Sequence, residues 1–262
     1  MSALKEAGDE VEVDAGIVER FHLAVVAEGG VFADQSRKAV SHDYRQTAWV
    51  GHVSLDGGAA DLAVERFTSN GPLALLPLPA HPAGVAPPAT RRAALVWCVP
   101  LDDDPVAPLD DSQRIVLLNA LLPAGAGRVV QLSALKRFAL GLNAETTLVR
   151  GRTVRIGNAA QTLHPVAGQG MNLGLRDAWD LAQVLHGAED PGDARLLQGF
   201  AALRRFDATA TVRVTDFLAG AFLGANPLSR LTRGFALTAL DICLPARRFF
   251  ARRMIYGASA LP

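Results

Sequence analysis

The 262-residue chain reads as a mixed α/β (α+β) fold, and three observations carry that reading. Between Arg150 and Leu185 a β-branched strand runs into a glycine-punctuated loop and then into a helix. From Tyr44 to Pro100 the chain alternates with a period of two, in runs separated by turn clusters, as an antiparallel sheet does. Beyond Pro191 the apolar period lengthens to that of helices.

Taken in order, Val11 to Val13 and Phe21 to Ala27 are the first strand candidates. The second holds the apolar run Leu23 to Val26 expected of a buried parallel strand, and it ends at Glu28-Gly29-Gly30. Tyr44, Gln46, Ala48 and Val50 alternate with Arg45, Thr47, Trp49 and Gly51. Strand-like runs follow at Leu62 to Thr68, Pro72 to Leu78 and Ala93 to Val99, parted by Asp56-Gly57-Gly58, Ser69-Asn70-Gly71 and the proline-rich stretch Pro79 to Pro88. Asp110 or Asp111 caps a helix whose apolar face is Ile115, Leu118 and Leu122, stopped by Pro123 and the Gly125 to Gly127 loop. Pro191-Gly192-Asp193 opens a long helix with Leu196, Phe200, Leu203, Ala210, Val214, Phe217 and Ala221 on one stripe, and Arg204 and Arg205 off it on an expected solvated face. The tail from Pro227 to Tyr256 is apolar and arginine-rich.

The central stretch has the most chemistry in it. Thr153, Val154 and Ile156 make a strand that ends at Gly157-Asn158; a loop runs from Ala159 to Gly170. The helix after it carries Met171, Leu175, Ala178, Ala182 and Leu185 at helical spacing. A helix N-terminus entered through glycines aims backbone N–H groups and a positive dipole end at an electron-rich ligand, which Gly168 and Gly170 let come close. That physics alone specifies an anion or a polar cofactor.

The run GNAAQTLHPVAGQGMNLGLRDA, residues 157–178, closely resembles the second flavin-contacting motif of the para-hydroxybenzoate hydroxylase-like flavoproteins, the class A aromatic hydroxylases. It is most similar to their ubiquinone-biosynthesis branch, in particular the 2-octaprenyl-6-methoxyphenol hydroxylase type. YRQTA (44–48), ERF (65–67) and GPLALLPL (71–78) are similar to the same branch, whereas Phe138-Ala139-Leu140 departs from the Tyr-Pro-Leu of many relatives. The resemblance implies FAD as cofactor, with Gly157, Asn158, Pro165, Gly168, Gly170, Met171 and Asn172 around it. Asn158 would accept a hydrogen bond from a ribityl hydroxyl, and the N–H groups near Met171 and Asn172 would meet the pyrimidine edge. Asn158 as a plain turn residue is the structural alternative, and His164 is read as structural. By the family's chemistry NAD(P)H would reduce the flavin and O2 would supply the hydroxyl placed on an electron-rich ring. The substrate would be a polyprenylated phenol, bound under the antiparallel sheet with Leu75, Leu76 and Pro77 lining the pocket.

In these terms the expected fold is the para-hydroxybenzoate hydroxylase-like one without its N-terminal GxGxxG βαβ unit. The only early glycines, Gly8, Gly16, Gly29 and Gly30, do not form that motif. The expected divisions are 1–40, a remnant of the FAD-binding domain; 41–140, the substrate domain; 141–192, the second flavin motif; and 193–262, a helical region. Either the sequence is a severed, inactive fragment of an ordinary hydroxylase, or it is a short protein that lost its dinucleotide end; the second is expected to be poorly soluble, exposing an apolar face and strand edges, or to take the absent part from a partner chain.

Composition sets the outer bounds. Half the residues are hydrophobic and 26 basic side chains balance 26 acidic ones, against the basic excess a nucleic-acid binder shows. Cys98 and Cys243, without CxxC spacing, are expected as reduced buried thiols of a cytoplasmic protein. No His/Cys/carboxylate cluster has metal-ligand spacing, and no residue is singled out as a catalytic acid or base. Arg247, Arg248, Arg252 and Arg253 around Phe249, Phe250 and Met254 suit peripheral contact with the inner face of a membrane, a docked helix, or an oligomer interface. The rival from another class is a flavin-free scaffold or accessory subunit of a quinone-biosynthesis assembly.

Overall fold

Three short strands, β1 (Ala3–Ala7), β2 (Glu10–Asp14) and β3 (Val18–Phe21), make an antiparallel meander in the computed structural model. The structure describes residues 3–27, 29, 36, 38–79, 90–165, 168–223, 238 and 241–257. They divide into two units, one built from 1–42, 141–221 and 226–262 and the other from 43–140 and 222–225.

In the first unit the Phe21 to Ala27 run is split. The chain bends at His22, whose carbonyl accepts from Arg152 Nη1 at 2.9 Å, and β4 (Ala24–Val26) then begins. β4 pairs in parallel with β12 (Thr153–Arg155), Val25 opposite Val154, and β12 pairs antiparallel on its other side with β11 (Val149–Arg150), which precedes it in the chain. The expectation of a fully buried strand is corrected: Ala24 is buried but Val25 is 44% exposed.

The second unit is the sheet announced by the period-two pattern. β5 (Val40–Asp56), β6 (Val64–Thr68), β7 (Gly71–Leu78), β8 (Thr90–Pro100) and β10 (Lys136–Ala144) lie in the order β10-β5-β8-β7-β6. β9 (Arg128–Leu132) pairs with the end of β5. β5 and β8 run antiparallel over their length, from Gln46 opposite Pro100 to Asp56 opposite Thr90. One face carries Val53, Leu55, Leu73, Leu75, Leu95 and Trp97 into a core closed by Leu118 of α1 (Asp111–Leu121). Asp110 caps that helix with Gln113 in a reciprocal capping box, so both polar ends of the helix entry are satisfied locally.

The chain returns to the first unit along the last residues of β10, where Asn143 and Ala144 pair with β13 (Gln161–Thr162). Among the described residues three helices follow: α2 (Gln169–Leu185), α3 (Ala194–Leu223) and α4 (Leu244–Tyr256). Asp193 starts α3 by accepting the N–H groups of Arg195 at 2.8 Å and Leu196 at 3.2 Å. No helix among the described residues is long and apolar enough to cross a membrane.

Three expectations are corrected by the structure. On α2 the Met171, Leu175, Ala178, Ala182 stripe faces outward, while Leu173, Asp177 and Leu181 are the buried side. On α3 Leu203 is exposed and Arg204 is buried, because three aspartates converge on its guanidinium. Cys98 is buried, which pushes its thiol up to about 12, but Cys243 is exposed at the start of α4. The proline-rich stretch 80–88 and most of the tail before α4 lie outside the described residues.

Candidate functional site

The GNAAQ stretch, residues 157–161, follows β12 directly and turns as a single 3-10 turn, Gly157–Ala159. Gly157 sits at φ +56°, a left-handed conformation that glycine takes without strain, and Ala160 N–H closes the turn on its carbonyl at 3.0 Å. Glycine is also required across from it. A Cβ on Gly174 of α2 would lie 3.2 Å from Gly157 Cα, so helix and turn meet backbone to backbone. A Cβ on Gly29, after β4, would run into the backbone of Asn158 and Ala159.

Two charged side chains hold the turn. Asp177, 0% exposed on the inner side of α2, accepts Gly157 N–H at 3.0 Å and Gln161 Nε2 at 2.8 Å on one carboxylate oxygen. Its other oxygen takes Arg204 Nε at 2.8 Å. Arg204 Nη1 reaches Asp180 at 2.8 Å and its Nη2 lies 2.9 Å from Asp207, which Arg176 Nε meets at 2.9 Å. Burial raises the Asp177 carboxyl above its ordinary range, while Arg204, Gly157 N–H and Gln161 pull it back. On the opposite side Lys38 donates its ammonium to the Asn158 carbonyl at 2.8 Å. Burial lowers the Lys38 ammonium, with Glu145 opposing. Asn143 fixes the Lys38 segment by accepting Lys38 N–H at 2.8 Å and donating to the Ser36 carbonyl at 3.0 Å.

The second half of the site is the start of α2. Gly168 is its N-cap at φ +59°, and the cap supplies no side-chain acceptor. The helix start brings the dipole's positive end to this place, and among the described residues nothing stands within 4 Å of a Cβ built on Gly168 or Gly170. Val166 and Ala167 lie outside the described residues. His164, ahead of Pro165, is 1% exposed, and burial depresses it to about 4; it is a neutral imidazole inside the fold.

Of the residues expected from sequence, Gly157 and Asn158 thus fall on one turn and Gly168, Gly170, Met171 and Asn172 on one helix start of the first unit, while Pro165 precedes that helix, its carbonyl accepting Gly168 N–H at 2.9 Å. Asn158 is exposed there and Met171 is 74% exposed. Leu75, Leu76 and Pro77 lie together on β7 of the second unit but do not share an environment. Leu75 belongs to the core at 2% exposure, whereas Leu76, on the opposite face, is 47% exposed. Sequence reasoning passed over Asp177 and Lys38. Asp177 could have been found, since it is a lone acid four residues from Leu173 and from Leu181 on what became the buried side. Lys38 had no such signal.

Comparison with known proteins agrees with this geometry. Residues 15–215 match the family model described as FAD binding domain. The chain is 34% identical to ubiquinone hydroxylase UbiL of Rhodospirillum rubrum, over 96% of this chain and 59% of that protein. It is 27% identical to 3-demethoxyubiquinol 3-hydroxylase of Escherichia coli, over 88% of this chain and 59% of that one. Among solved structures, HpxO of Klebsiella pneumoniae in complex with FAD and uric acid superposes with a TM-score of 0.69 at 18% identity, over 99% of this chain and 66% of that one. The chain thus spans about three-fifths of the length of the two hydroxylases it matches.

Proposed function

The chain belongs to the FAD binding domain family, and on that premise we propose that it is the flavin-contacting part of a monooxygenase that hydroxylates the ring of a polyprenylated phenol in ubiquinone biosynthesis. The single observation that carries this reading is the pairing of the Gly157–Asn158 turn with the uncapped start of α2. The turn offers an exposed amide side chain, and the helix offers its positive dipole end and, among the described residues, open space at Gly168 and Gly170. This donor set fits the cofactor: an amide acceptor for a ribityl hydroxyl and N–H donors for a ring edge that gains negative charge.

FAD, when bound, supplies the redox chemistry, taking electrons from NAD(P)H and activating O2. The chain's own residues supply position and field. Lys38 and the α2 dipole put positive charge beside the turn, which favours the reduced, anionic flavin. Asn158 would hold the ribityl chain, and the backbone N–H groups of Met171 and Asn172 would hold the ring's pyrimidine edge. Leu76 and Pro77, on the exposed part of β7, are the apolar side chains offered to the phenol, and Leu75 supports them from the core. A substrate with a polyprenyl tail places the enzyme next to a membrane surface, and Arg247, Arg248 and Arg252 on the exposed length of α4 suit anionic headgroups.

The test is an FAD titration of the purified chain, followed by flavin absorbance and fluorescence, alone and with a polypeptide carrying a GxGxxG βαβ unit. Binding in either arm is expected, and Asn158→Leu should weaken it by about tenfold, the worth of one good hydrogen bond. Folded protein that binds no FAD in both arms sinks the flavin reading and leaves the accessory-subunit alternative.

A further inference from the structure

We infer that Asp177 is a positioning residue for the flavin: its carboxylate fixes the Gly157–Asn158 turn in the shape that grips the cofactor. The inference rests on the reading of that turn given above. One oxygen of Asp177 takes Gly157 N–H and Gln161 Nε2, so the two ends of the GNAAQ stretch are tied to a single atom of α2. The other oxygen takes Arg204 Nε at 2.8 Å. The first residues of α2 belong to the same site, so one helix carries both the N–H groups offered to the ring edge and the anchor of the ribityl turn. The spacing between those two halves is then set by a rigid element rather than by the loop joining them.

Only a carboxylate does this. It accepts on both oxygens and donates nothing, and here three N–H groups point at it. An asparagine of nearly the same size has one oxygen and one NH2. Whichever way it turns, the NH2 meets either the loop donors or the Arg204 guanidinium. The negative charge is tolerated at 0% exposure because Arg204 neutralises it, and Asp180 and Asp207 share the excess of donors on Arg204. Asp180 supplies the control. It binds the same guanidinium one turn further along α2, but from the other nitrogen and with its side chain 24% exposed.

The experiment compares the full chain with D177N and D180N by three readings: amide hydrogen exchange at Gly157 without flavin, FAD affinity with the GxGxxG polypeptide present, and urea stability. Loss of a hydrogen bond to a charged acceptor should speed Gly157 exchange by about tenfold or more in D177N, and FAD affinity should fall by a similar factor. D180N should lose stability yet leave both within about twofold. Should D177N be too unstable to purify, D177N/R204M removes the stranded buried cation and is read the same way.

Gly157 exchange that is no faster in D177N than in D180N, once both are corrected for global stability, overturns the inference. So does faster exchange with unchanged FAD affinity, since the turn would then be held but not used. If no variant and no wild type binds FAD, the functional reading fails, and the exchange arm alone still decides whether Asp177 holds the turn.

Discussion

The two units hold themselves together by different means. In the second, a twisted antiparallel sheet closes over α1 with Leu73, Leu75, Leu95, Trp97, Val99 and Leu118 almost wholly removed from water. In the first, the apolar cluster around Val154, Leu181, Leu197 and Phe200 is smaller, and beside it lies a buried set of charges, Asp177, Arg204 and Asp207. The same unit leaves Met171, Leu175 and Trp179 of α2 at 74, 61 and 66% exposure. A unit that buries charge and exposes apolar helix surface is shaped by what it must hold as well as by its own stability.

The largest effects should separate the two designs directly. Leu95→Ala in the sheet core removes buried methyl groups and leaves a cavity, at a cost of about 2–5 kcal/mol. Arg204→Met in the first unit removes no apolar packing, yet it strands Asp177 and Asp207 without their cation and should cost about 3–5 kcal/mol. Urea denaturation reads both. An Arg204→Met loss below about 1 kcal/mol, the range of an exposed ion pair, would mean that the charges are solvated and the contrast is empty.

A middle-sized effect follows from His164. Its folded value near 4 lies below the ordinary 6.5, so below pH 6.5 the unfolded chain binds the proton that the fold refuses. Stability should therefore be complete above pH 6.5 and decline as pH falls toward 4, by up to about 3 kcal/mol. Asp190, held near 2 by Arg152, loses its contribution only at lower pH, and Asp177, raised by burial, acts with the opposite sign, so the histidine's share is read as the difference between the chain and His164→Asn from pH 4.5 to 7.5. His164→Asn should flatten that slope; an unchanged slope would place the titrating group elsewhere.

Much of this was legible before any coordinates. The sheet was readable because alternate strand residues pack into its core, as Ala93, Leu95 and Trp97 of β8 do with Ala94 and Val96 less buried between them; along Gln46 to Trp49 of β5 both faces are covered and burial shows no such period. The mixed fold class and the glycine loop were readable because Gly157 and Gly168 take left-handed conformations that glycine adopts without strain. What escaped was α2's orientation. Both of its sides are apolar, Leu173 and Leu181 on one and Met171, Leu175 and Trp179 on the other, and periodicity alone does not say which packs inward. Arg204 escaped for a related reason. An arginine off the apolar stripe reads as solvated unless its partners are known, and those lie on α2, 24 and 27 residues away, as well as on its own helix.

The smallest effect sharpens the comparison most finely, because it concerns side chains that the first unit exposes. Leu175→Ser and Trp179→Ser remove little buried area, so each should change the urea midpoint of the chain by no more than about 0.5 kcal/mol. Leu181→Ala, on the inner side of the same helix, should cost about 2–5 kcal/mol. The contrast tests whether the outer stripe is free in solution. Trp179 also offers an optical reading: Trp49 and Trp97 are buried, so the long-wavelength part of the emission belongs to Trp179. A polypeptide that covers α2 should shift that emission to shorter wavelength, and Trp179→Ser should abolish the shift. If Trp179→Ser instead costs more than about 2 kcal/mol, or if stability rises with protein concentration, the stripe is already covered, by a second copy of the chain. The first unit would then resemble the second in burying its apolar surface, through association instead of through its own fold.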